Sequence, residues 1–305
     1  MSRTISRVET TPPPAPGFIG EGHTAVEVVR PSALAASDPF VLLMDDRLDI
    51  ARRRQIGGAH PHAGLETVTL VLEGAVHDRD EGELAAGDAL WMTAGRGIVH
   101  NEAVEAVGRS RILQLWIALP ARDRELAPTF QVIRKATAPV LHHPGVEARL
   151  YSGASGPQRS PTRNRVAVTI VDLSLGAGAT YRQDLPSGYN GFVYVVEGSG
   201  KFGGKFGDHV GGATITAGQV GWLAPVVSPP DVGPGSGDLD ISAGPGGLRL
   251  VLYAGQPTGE ALVQQGPFVA GSSREISEFN RRYRSGQFTS MHQVAASQLT
   301  ERQHP

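Results

Sequence analysis

Short apolar runs, cut again and again by glycine and proline, recur along the whole chain. Six read as strands: 66–72, 89–92 and 111–119 in the first half, and 166–173, 192–196 and 248–253 in the second. Helical periodicity is scarce. One stretch after Ser273 places Glu275, Ile276, Phe279 and Tyr283 at helical spacing, and a shorter one covers 122–126 after Pro120. With 39 glycines and 22 prolines, turns must be frequent, as in barrels built from many short strands. The expected class is all-β with a short C-terminal helix.

The strand pattern is duplicated. Val71-Leu72-Glu73-Gly74 is echoed by Val195-Val196-Glu197-Gly198, and Ala86-Gly87-Asp88-Ala89-Leu90-Trp91 by Ala217-Gly218-Gln219-Val220-Gly221-Trp222. The order is kept, with a longer hairpin in the second copy. Two echoes in order favour a tandem repeat of one β-barrel unit, divided here as 1–136 and 137–305. Each Glu-Gly and each Ala-Gly is expected to turn one strand into the next.

Two same-face doublets carry the chemistry. His60-Pro61-His62 is answered by His100-Asn101-Glu102, and on extended chain both members of each doublet project to one side. Adjacent strands would then aim three imidazoles and a carboxylate at a single point, a donor set suited to a divalent transition metal. Unbroken pleating from residue 60 would add Glu66, Val68, Leu70 and Leu72 to the same face. Glu66 could complete the coordination in place of Glu102, or orient an imidazole from behind. Superposing the two copies sets His60 against Asp184, His62 against Pro186, Glu66 against Asn190, His100 against Asp231 and Glu102 against Gly233. The first barrel is therefore expected to bind metal and the second to lack the ligands. His77, His209 and His142-His143 sit by turns or connectors and read as surface residues.

Composition narrows the rest. Lys+Arg number 28 against 30 Asp+Glu, a net charge of -2, which argues against direct nucleic-acid binding. Arg52-Arg53-Arg54 reads as a solvated loop. There are no cysteines, so disulfides and thiolate metal sites are excluded. No apolar run is long enough to span a membrane, and 1–16 lacks a signal-peptide core, which fits a cytoplasmic protein.

The segments His60-Pro61-His62-Ala63-Gly64-Leu65-Glu66-Thr67-Val68-Thr69 and Trp91-Met92-Thr93-Ala94-Gly95-Arg96-Gly97-Ile98-Val99-His100-Asn101-Glu102 resemble the pirin branch of the cupin superfamily. So do the Asp38-Pro39-Phe40 to Asp45-Asp46 approach and the Gly266-Pro267-Phe268-Val269 tail with its helix. The resemblance spans most of 30–290. It implies two tandem antiparallel jelly-roll barrels, with iron in the N-terminal one only. It also implies ligation by His60, His62, His100 and Glu102, with Glu66 in support. Ala63 and Leu65 depart from the family, which often carries Arg and Phe there.

By the same resemblance the chain is expected to be a quercetin 2,4-dioxygenase-like oxidoreductase, taking a small aromatic substrate and O2 at Fe(II), with Mn, Ni, Co, Cu or Zn also accommodated by the donors. Glu102, or alternatively Glu66, would remove the flavonol 3-hydroxyl proton, and Val68, Leu70, Trp91 and Ile98 could wall the substrate or serve as plain core. The alternative is a non-catalytic, iron- or redox-sensing regulator that binds partner proteins.

Overall fold

A computed structural model describes residues 2–30, 34–78, 82–101, 104–204, 212–226, 237–294 and 299–301. The class is as expected: antiparallel strands arranged in two jelly-roll units, with little helix. All six anticipated strands are present, most of them longer at one or both ends. Among the described residues no helix is long and apolar enough to cross a membrane.

The two compact units do not follow a single cut of the chain. One comprises Pro12–Thr137 with Thr258–Pro305, the other Met1–Thr11 with Ala138–Pro257. The mid-chain division falls between Thr137 and Ala138, and each end of the chain belongs to the other unit from the segment that follows or precedes it. The strand Ile5–Thr10 pairs with Gln219–Leu223, and Ser2–Arg3 runs parallel to the start of Asp238–Gly255. Arg3 is buried there and donates to the carbonyls of Pro186, Ser187, Tyr189 and Gly237 at 2.6–3.1 Å. Four acceptors satisfy a guanidinium whose burial would otherwise be costly.

In the unit containing both histidine doublets, one sheet runs in the order Thr129–Ile133, Ala89–Thr93, Leu65–Glu73, Val104–Ala118, Phe40–Ile56, His23–Val29. Arg52-Arg53-Arg54, expected in a loop, fall within Phe40–Ile56 instead. A separate small sheet joins Ala59–His62, Ile98–Asn101 and Thr289–Ser290. The helix Ser273–Arg284 starts at Ser272, whose side-chain oxygen accepts from the Glu275 backbone amide. Ile276 and Phe279 are buried against Ala63, Phe268, Ala270 and Phe288, with Ile276 and each phenylalanine contributing about 1.5–3 kcal/mol. The 122–126 segment is only a 3-10 turn, Ala121–Asp123. The returning segment is tied down by Asp38, which accepts from Thr258 and Gly259, and by buried Arg124, which pairs with Glu260 and Glu275.

The repeat has a physical basis. Gly87 donates its amide to Val71, and the equivalent Gly218 to Val195. Gly74 and Gly198 share a left-handed φ of 71° and 70°. Arg111 forms a bidentate pair with Asp45 and reaches Glu73; Arg249 does the same with Asp172 and Glu197. The Glu-Gly pair is a bend rather than a hairpin turn. In the second copy the strand Asn190–Phe202 runs straight through it, with a register slip between Gly198 and Gly200.

Candidate metal centre

The small sheet brings His60, His62 and His100 together. In antiparallel register His60 lies opposite His100 and His62 opposite Ile98, so the three imidazoles share a face. One ring nitrogen from each lies within 4.8 Å of the other two. The Nε2 atoms of His60 and His100 are 3.1 Å apart. Two nitrogens bound at right angles to one ion, each at about 2.1 Å, would be about 3.0 Å apart.

Each ring is prepared for this role differently. His60 donates from Nδ1 to the Gly58 carbonyl at 3.0 Å, which leaves the Nε2 lone pair facing the cluster. His62 is 3% exposed, and its Nδ1 is buried without a directed hydrogen bond. Burial pushes its pKa well below the usual histidine value, and the neighbouring His100 and His60 act in the same direction. The Pro267 carbonyl opposes them and does not prevail. A ring kept neutral is a ring with a lone pair to give. This donor set fits a divalent transition metal.

Glu102 lies outside the described residues, as do Asp231, Gly233 and His209. Glu66 is fully buried and accepts a hydrogen bond from Thr93 Oγ1 at 2.6 Å, but its carboxylate falls outside the histidine cluster. The pleating expected from 60 to 72 is broken at Ala63-Gly64. Gly64 has φ of 75°, and a Cβ there would meet the Val269 carbonyl at 1.8 Å. The break reverses which residues face inward, so Thr69, not Val68 or Leu70, lines the cavity. His77, His142 and His143 are exposed, as expected.

The cavity beside His60 and His62 has a volume of about 820 Å³. Its walls are largely apolar, with Leu42, Met44, Leu48, Val76, Ile112 and Trp116 among them. Val68, Leu70, Trp91 and Ile98, the walls expected from sequence, are buried elsewhere. The Trp116 ring meets His62 edge-on at 5.0 Å. Sequence reading also missed His23 and Asp46, which line the same cavity and are joined at 2.7 Å. They lie in different strands; Asp46 ends a family-like segment, but nothing local pairs it with His23.

Two family models match the chain, Pirin over residues 23–117 and the Pirin C-terminal cupin domain over 170–289. The chain belongs to the pirin family. A pirin-like protein of Solanum lycopersicum is 33% identical over 271 residues, covering 88% of this chain and 87% of its own. A Pseudomonas aeruginosa protein named "Putative quercetin 2,3-dioxygenase PA3240" is 31% identical over 285 residues, covering 89% and 94%. Among solved structures, a quercetin 2,3-dioxygenase from Acinetobacter baumannii superposes with a TM-score of 0.80 at 23% identity, covering 95% of this chain and all of that one, which speaks for the fold. In this pirin the described residues His60, His62 and His100 form a group that could hold a metal ion.

Proposed function

We propose that this pirin is a metal-dependent dioxygenase that opens quercetin-type flavonols with O2, releasing carbon monoxide, at a centre held by His60, His62, His100 and Glu102. The observation that carries this reading is the convergence of three imidazoles at the edge of a large apolar cavity. The name borne by the Pseudomonas relative supports the substrate class. Iron(II) is the metal we assign; when bound it would acidify a phenolic hydroxyl and provide a redox-active centre for O2.

The chain's own residues have distinct tasks. The Gly58 carbonyl fixes the His60 ring, so its Nε2 meets the cation without a tautomer change. Buried His62 supplies a second neutral nitrogen. Glu102 takes the proton from the flavonol 3-hydroxyl onto a carboxylate oxygen, two residues beyond His100. Leu48, Val76, Leu84 and Ile112 exclude water from the planar substrate.

The test is aerobic incubation of iron-loaded protein with quercetin while carbon monoxide is measured. Wild type should release it, and His60→Ala and Glu102→Ala should each lower the rate by at least about a hundredfold. No release with any first-row divalent metal would overturn the reading and leave the regulator in its place.

A further inference from the structure

The cavity has a polar end that the metal chemistry does not use. His23 is buried, and its Nδ1 accepts the Ile19 amide at 3.3 Å, so the ring proton sits on Nε2 and is donated to Asp46 Oδ1 at 2.7 Å. That bond fixes the Asp46 carboxylate on the cavity wall. Its second oxygen has no hydrogen-bond partner among the described residues. Nearby, Thr69 Oγ1 donates to Gln114 Oε1 at 2.7 Å, and the Gln114 NH2 group has no hydrogen-bond partner among the described residues. Phe18, largely exposed, lays its ring edge-on against both His23 and His60.

Strand register gives the spacing of these groups. Trp116, Gln114 and Ile112 succeed one another on one face of Val104–Ala118, opposite Leu42, Met44 and Asp46. Trp116 touches His62, so it marks the metal end. At about 3.4 Å per residue, Gln114 stands about 7 Å further along and Asp46 about 14 Å. A planar molecule of two or three rings fits that run. An anionic acceptor at its far end favours a neutral hydroxyl donor and repels a carboxylate.

We propose that Asp46, positioned by His23, and Gln114 form a second polar anchor that selects aromatic ligands carrying hydroxyls remote from the metal-chelating group. This rests on the flavonol reading above and adds to it a specificity subsite. Hydroxylated flavonols should bind; the bare scaffold should bind weakly.

Binding of quercetin and of 3-hydroxyflavone, which retains only the chelating hydroxyl, is to be measured without O2 by quenching of tryptophan emission, on both metal-free and iron-loaded protein. Wild type should prefer quercetin by about tenfold or more. Asp46→Asn and Asp46→Leu should lower quercetin affinity about tenfold and change 3-hydroxyflavone by less than about twofold. Gln114→Leu should cost quercetin a smaller factor, about threefold to fivefold. Equal losses for both ligands, or no loss for either, would overturn the anchor. Discrimination without carbon monoxide release would sink the dioxygenase reading and keep the anchor; release without discrimination would do the reverse.

Discussion

His62 is where the energetics of the centre are most exposed to pH. Its charged form is disfavoured in the folded chain by burial and by two neighbouring imidazoles, and carries no such penalty when unfolded. A lowered folded pKa makes the unfolded chain the better proton binder below about pH 6.5. The neutral ring's share of stability is therefore complete above that pH and shrinks as pH falls below it. Metal uptake should fall in the same direction, since protons and metal compete for the same lone pairs. Equilibrium dialysis at pH 7.5 and pH 5 tests this: bound metal should drop sharply, and equal occupancy would refute histidine ligation. The common face of His60 and His62 was legible in the sequence because a one-residue spacer on extended chain fixes it; Glu102 lies outside the described residues. His23 with Asp46 was not legible, because that pair exists only once two strands lie side by side.

At the level of elements, the small sheet matters more than either large one. Its strand Ala59–His62 can serve the site only because the chain bends sharply at Gly64 before entering Leu65–Glu73. Gly64→Ala would force a left-handed φ on a residue with a Cβ and drive that atom into the Val269 backbone. Urea titration should show a loss of at least about 2 kcal/mol, with reduced metal content at equilibrium. A variant as stable as wild type would show that Val269 moves freely aside. The same bend explains the misassigned cavity walls. Periodicity of two says which residues alternate, but a single left-handed glycine shifts the count, and no pattern of apolar residues announces it. The Glu-Gly echoes likewise look like turns on paper. In the fold they are bends, each flanked by an arginine pair that holds the continuing chain.

Across the whole molecule, the duplication was visible while the crossing of its ends was not. Short, weakly periodic terminal strands give little local signal, and their pairing with distant strands is a tertiary matter. The crossing has a testable result for the metal centre. Pro267 lies beside His62, Phe268 pairs with Ala63, and Thr289–Ser290 hydrogen-bonds to the strand carrying His100. A chain ending at Pro257 should bind no stoichiometric metal by atomic emission after dialysis. Full occupancy would show that the small sheet closes without its third strand.

That dependence also sets an order of events during synthesis. The histidine doublets leave the ribosome early, yet the strand and helix that brace them follow only after the other barrel has been made. A metal ion offered to the polypeptide before that segment emerged would meet an unfinished cradle. Metal binding is therefore expected only once 258–290 has been made, so a bound ion would report that the returning segment is in place.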